Sequence, residues 1–148
     1  MSYLRRETGG GISMYQDIDI AWFKKQQKGK LPGELGFEPL EIRHGYVKAT
    51  MQVTEKLLAP NGYLHAASII LLADTCAGYG CIASLPEGAK NFTTIELKSN
   101  FLGTARDGVL ECEARGIHLG KSTQVWDATV TAAGKTLALF RCTQMLLR

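Results

Sequence analysis

At 148 residues the chain is expected to form one domain. Its 45% hydrophobic and 21% charged residues exclude a disordered chain and permit a core that needs no disulfide or metal staple. A net charge of +3 without any Lys/Arg run argues against nucleic acid as a partner and suits an anionic small molecule.

Residues 1–11 are polar, with Arg5, Arg6 and the run Gly9-Gly10-Gly11. They lack the apolar stretch of a signal peptide and read as a flexible lead-in. Ser13 followed three residues later by Gln16 forms a capping-box start, and Gly29 a stop, for a helix over 14–28 that turns Ile18, Ala21, Trp22 and Phe23 inward. Leu31-Pro32-Gly33 breaks it. Residues 1–30 thus form an N-terminal extension to a single domain spanning 1–148. Two strands follow over 36–43 and 46–55, joined at His44-Gly45. In the second, Val47, Ala49, Met51 and Val53 alternate with Lys48, Thr50, Gln52 and Thr54, the period of a half-buried strand.

Residues 66–85 hold one charged side chain, Asp74, in twenty. The segment is long and apolar enough to span a bilayer, but a carboxylate near the middle would cost about 2.5–3.5 kcal/mol on insertion scales. With strand-like, amphipathic segments on both sides, it reads as a helix buried on all faces of a fold, not as a membrane span. After Pro86-Glu87-Gly88 the pattern returns to strands. Residues 92–101 set Ile95, Leu97 and Phe101 opposite Thr94, Glu96 and Lys98. Residues 108–118 follow the Arg106-Asp107-Gly108 turn, 122–132 alternate around Val125, Asp127 and Thr129, and 135–147 follow Ala133-Gly134. A helix, two strands, a long buried helix and four strands argue for an α+β fold with an antiparallel sheet curved around the helix.

Cys76, Cys81, Cys112 and Cys142 form no Cys-x-x-Cys pair, and His44, His65 and His118 are scattered. No metal site and no cofactor are expected; the cysteines read as buried, reduced thiols of a cytoplasmic protein.

The entrance to the long helix carries the chemistry. Pro60-Asn61-Gly62 forms a turn, and His65-Ala66 stand where the helix begins. The first N–H groups of a helix have no intrahelical partner and can hold an oxyanion. His65 is there either as a cap or as an orienting group. Asp74 lies nine residues on, 2.5 turns down the helix, out of reach of its own entrance. An antiparallel copy of the helix across a dimer would bring the two together. A buried charge is costly unless paired, so Asp74 points to chemistry; the structural alternative is capping by a hydroxyl such as Thr75.

Leu64-His65-Ala66-Ala67, Leu72-Ala73-Asp74, Thr94-Ile95-Glu96-Leu97, Phe101-Leu102 and Gly120-Lys121-Ser122 resemble the hotdog-fold thioesterases of the phenylacetic-acid-degradation type, over about three-quarters of the chain. The resemblance implies an antiparallel sheet wrapping a long central helix, a homodimer through continuous sheets or a dimer of dimers, and hydrolysis of an acyl-CoA thioester. By that likeness Asp74 is the general base or nucleophile, the Ala66 N–H holds the thioester oxygen, His65 orients it, and Thr94 positions water. Gly120, Lys121 and Ser122 lie against coenzyme A. Lys121, Arg106 and Arg115 are the candidate partners of its phosphates, and Tyr63, Tyr79 and Phe101 of the acyl group.

Three positions depart from the family's pattern. Ala66-Ala67 replace Gly-Gly and narrow the pocket. Ala59 stands where Asn or Gln is usual, leaving Asn61 to substitute from the turn. Gly78 replaces the Ser or Thr of a sister group. The competing functions are a non-catalytic acyl-CoA-binding protein, which the first two departures favour, and an acyl-thioester hydratase or dehydratase. The latter usually requires a His–acid pair that His65 and Asp74, nine residues apart, do not offer within one helix.

Overall fold

A computed structural model describes residues 18–148. The lead-in over 1–11 and the Ser13/Gln16 capping pair lie outside the described residues. Helices α1 (Ile20–Gln27) and α2 (Leu31–Glu34) precede strands β1 (Phe37–Arg43) and β2 (Tyr46–Gln52). A 3-10 turn at Glu55–Leu57 leads to helix α3 (Ala66–Ala83), then strands β3 (Asn91–Phe101), β4 (Val109–Leu119), β5 (Thr123–Ala132) and β6 (Lys135–Leu147). The strands form one antiparallel sheet in the order β1-β2-β4-β5-β6-β3, and α3 packs against all six.

This is the expected α+β hotdog arrangement. An apolar helix with no polar face is stable only when enclosed, and the alternating strands supply the enclosing face. Val47, Ala49 and Met51 of β2, Leu110, Cys112 and Ala114 of β4, and Trp126, Ala128 and Val130 of β5 are buried with Leu72, Cys76 and Ala77 of α3 in one core. By length and composition α3 would cross a membrane, yet its packing makes it the core helix of the sheet.

At Gly80 the helix lies tight against the sheet. A Cβ there would meet Trp126 Cζ3 at 2.5 Å, and the indole is fixed by Nε1 donating to Gln124 Oε1 at 2.8 Å. Gly80→Ala is therefore expected to cost about 1–3 kcal/mol through overpacking. A lowered urea midpoint with an unchanged m-value would show it; an unchanged midpoint would mean that α3 and β5 slide apart freely.

Four details differ from the sequence expectations. Helix α1 begins at Ile20 instead of within 14–28 as a whole, because the Asp19 side chain caps it by accepting from Trp22 N–H at 2.9 Å. Ala21 is exposed, whereas Ile18 and Phe23 are buried as expected. Leu31-Pro32-Gly33 does not simply break the helix: Pro near the start of a helix forfeits no intrahelical bond, so these residues open the one-turn α2. Finally, β3 does not alternate evenly, because it carries a bulge. Its pairing with β6 steps from Thr94↔Gln144 to Glu96↔Thr143, leaving Ile95 as the extra residue. Before the bulge Phe92 and Thr94 face α3; after it Leu97, Ser99 and Phe101 do, opposite buried residues of β6.

Candidate active site

Asp74 sits midway along α3 on the face turned to β6 and β3. One turn further on, Gly78 meets Phe92 of β3 so closely that a Cβ would lie 3.0 Å from the ring. Stepping from that contact, Asp74 is four residues back along the helix, about 6 Å. Thr94 is two residues along the strand on the same face, about 6.6 Å. Both steps run the same way, because Cys81 near the far end of α3 packs with Leu146 and Asp74 acts on Cys142, four residues earlier in β6. Asp74, Thr94 and Cys142 therefore occupy one patch.

The Asp74 carboxylate is the only charge on α3. Its Oδ1 is buried and accepts no hydrogen bond, so Thr75 does not cap it there. Burial alone raises its carboxyl above the ordinary value. The Cys142 thiol is pushed up to about 12, first by burial and then by the Asp74 charge. Among the described residues the other buried, unpartnered side-chain oxygen is Ser99 Oγ, on the same inner face of β3. A desolvated carboxylate with a free lone pair is suited to take a proton.

The helix entrance lies at the far end of α3. His65 is the N-cap, its Nδ1 accepting from Ala67 N–H at 2.9 Å, and its backbone carbonyl accepts from Ser68 N–H. That leaves the Ala66 N–H at the first helical position, one of the donors a helix cannot satisfy itself. His65, Ala66 and Ala67 are all exposed. The turn before them is pinned to the body: Leu64 N–H donates to Ala105 O and His65 N–H to Leu57 O, both at 2.9 Å. Asn61 is occupied locally, its Oδ1 accepting from Tyr63 N–H at 3.1 Å. The Arg106 guanidinium lies over the Tyr63 ring at 4.1 Å.

The expected residues thus fall into two groups. Asn61, Tyr63, His65, Ala66 and Arg106 gather at the entrance. Asp74 lies at mid-helix, and Thr94 lies toward the turn Gly120-Lys121-Ser122, where Ser122 O accepts from Leu146 N–H, two residues past Gln144. That turn is rigid. Gly120 N–H donates to Thr123 O, Lys121 O accepts from Arg148 Nη2 at 2.7 Å, and a Cβ on Gly120 would strike His118. The Lys121 side chain is exposed upon it.

Two auxiliary candidates are committed elsewhere. Tyr79 is a core residue, its ring against Phe23 and Phe37 and its hydroxyl donating to Gln27 Oε1 at 2.7 Å. Arg115 pairs with Glu113 and covers Tyr46. Phe101 remains 43% exposed on the inner face. Sequence reading missed Gln144. It is fully buried on β6 and its Oε1 accepts from Thr94 Oγ1 at 2.7 Å. An amide at the buried parity of Phe140, Cys142 and Leu146 was the available signal.

A hotdog sheet around a helix that carries a carboxylate with a buried, unpartnered oxygen and an exposed N-terminal donor fits a thioester hydrolase. The chain belongs to the thioesterase superfamily, whose profile matches residues 61–139. It is 34% identical over 110 residues to a 1,4-dihydroxy-2-naphthoyl-CoA hydrolase of Listeria monocytogenes, covering 74% of this chain and 89% of that protein. A mutant thioesterase of Pseudomonas aeruginosa superposes with a TM-score of 0.83 at 26% identity, over 90% of this chain and 96% of that one. A Streptococcus mutans protein bound to acetyl-CoA superposes with a TM-score of 0.70 at 26% identity, over 76% and 89%.

Proposed function

We propose that this chain hydrolyses the thioester of an aromatic acyl-CoA, with each active site shared between two copies in a homodimer. The observation that carries the reading is Asp74: a carboxylate with a buried, unpartnered oxygen, its pKa raised by burial, at the middle of the core helix. A protein that only bound acyl-CoA would gain nothing from leaving a desolvated carboxylate unsatisfied. A hydratase has little support, since the Nδ1 of His65 is spent on the helix cap and the two side chains are 2.5 turns apart.

In this reading Asp74 takes a proton from water, Thr94 orients that water, and the Ala66 N–H receives the carbonyl oxygen as charge develops on it. His65 holds the entrance in shape, and Asn61 and Tyr63 line it. The motif set resembles that of the phenylacetic-acid-degradation type, while the names of relatives include 1,4-dihydroxy-2-naphthoyl-CoA hydrolase. Both imply an aromatic acyl group, which we assign to this chain. The domain is taken to span 1–148. Four buried thiols without disulfides suit a reducing, cytoplasmic setting.

Hydrolysis of a panel of coenzyme A esters, followed by thiol release, tests the substrate class. Arylacetyl and aroyl esters should exceed short aliphatic ones in kcat/KM. A flat profile would remove the aromatic assignment, and no release from any ester would leave a binding protein. The coenzyme A end has a separate test. If Lys121 on its rigid turn meets the phosphates, Lys121→Ala should raise KM for acyl-CoA with kcat nearly intact, and barely change hydrolysis of an acyl-pantetheine. Equal losses on both substrates would instead point to a distorted turn.

A further inference from the structure

Gln144 and Gln124 face each other across β5 and β6, both with no exposed surface. A buried amide is costly unless its donors and acceptor are used. Gln124 is used structurally. Its Oε1 accepts from Trp126 Nε1 and its Nε2 donates to Ser84 O at 3.0 Å, tying the end of α3 to the sheet. Gln144 is used differently. Its Nε2 points to Cys142 Sγ at 3.5 Å, a weak contact that turns the amide so that Oε1 faces β3. There the oxygen accepts the Thr94 hydroxyl proton at 2.7 Å. This strong bond of Gln144 therefore ends on a side chain of the candidate site, and an apolar residue of similar volume would fill the same space.

A hydroxyl has one proton to give and two lone pairs. We propose that Gln144 is a positioning residue of the hydrolytic reaction: by taking the one proton of Thr94 it leaves that hydroxyl able only to accept from the attacking water. The proposal rests on the hydrolase reading above and extends it to a residue outside the substrate's reach. Water then has both protons directed, one toward the Asp74 carboxylate and one toward Thr94 Oγ1, and a lone pair of its oxygen faces the carbonyl carbon. As the new C–O bond forms, one proton passes to Asp74. The C–S bond breaks as the tetrahedral species collapses, and the proton moves on to the departing sulfur, giving free acid and thiol. Without Gln144, the Thr94 hydroxyl would be free to donate to the water and so misdirect it.

A double-mutant cycle on the full chain tests this, with kcat and KM measured for each variant. Gln144→Met keeps the volume and removes the acceptor, and Thr94→Val removes the hydroxyl. Each alone should lower kcat about 3–10-fold, the worth of one neutral hydrogen bond, with KM unchanged. The double variant should lose no more than the larger single loss, because Gln144 acts through Thr94. Losses that multiply, a raised KM at constant kcat, or an unaffected Gln144→Met enzyme would each overturn the proposal. Gln144→Leu passes through the same cycle if Gln144→Met does not fold. Asp74→Asn is measured alongside. If the wild-type chain releases no thiol the hydrolase reading has failed, and if Asp74→Asn stays active the role of Asp74 as base has failed, whereas an inactive Asp74→Asn with multiplying losses removes only the role of Gln144.

Discussion

Asp74→Asn should lower kcat by about 10²–10⁴-fold, the usual worth of a positioned general base, and leave KM little changed because the contacts to coenzyme A remain. Retention of more than about a third of the activity would end the assignment, since a lost base costs far more. The same substitution carries a second expectation of opposite sign for stability. Burial raises the Asp74 carboxyl above its ordinary value, so the folded chain holds that proton more tightly than the unfolded one. Its contribution favours the fold below the unfolded value and is lost as pH rises through the folded one. Wherever the folded carboxyl is ionised its desolvation opposes folding, and the neutral amide should raise Tm there. An inactive but more stable variant would be the mark of a residue kept for chemistry against the interest of the fold. An inactive, less stable one would mean that Asp74 holds the structure. For the wild-type enzyme, kcat should fall as pH drops through the raised carboxyl value, an acid limb that sits above that of an ordinary aspartate.

Much of this was legible in the residues. One charge in twenty apolar positions announced both the core helix and its functional group, and even alternation in β2 and β4 reported which side chains enclose it. The site was harder to read where geometry breaks the period. Simple alternation puts Thr94 on the opposite face from Leu97 and Phe101, away from the helix. The bulge at Ile95 restores it to the inner face, and nothing in Thr94-Ile95-Glu96 marks an extra residue. Gln144 was missed for a related reason. An isolated glutamine in a strand reads as a solvent-facing residue until its partner across the sheet is known. The capping of α1 by Asp19 and the one-turn α2 escaped because several polar residues compete for a cap and Pro serves equally to stop or to start a helix. Position along the chain also concealed how the expected site divides. Asn61, Tyr63, His65, Ala66 and Arg106 lie at one end, Asp74 lies at the middle, and Thr94 and the 120–122 turn lie toward the other end.

That division leads to the test with the plainest outcome. Asp74 is about 14 Å along the axis from His65 at 1.5 Å per residue, so one carbonyl cannot touch both the carboxylate and the entrance of the same chain. A second copy related by a two-fold axis sets each entrance against the other's mid-helix, twice over, as an isologous interface requires. The free edge supports such a pairing. Strand β3 ends the sheet, eleven residues long, and leaves Ile95 56% and Phe101 43% exposed, an edge that needs cover. Ala66→Pro is suited to blocking the entrance alone. It deletes the N–H at a first helical position where proline is well tolerated, and His65 before it already has the extended backbone, φ −69° and ψ 136°, that proline demands. Asp74→Asn and Ala66→Pro homodimers should both be inactive. Co-refolded heterodimers place both defects in one site and leave the other intact, restoring roughly half of wild-type activity per heterodimer. If the two variants fold and the mixed dimer forms but stays inactive, Asp74 works within its own chain and the entrance of the partner has no part in the reaction.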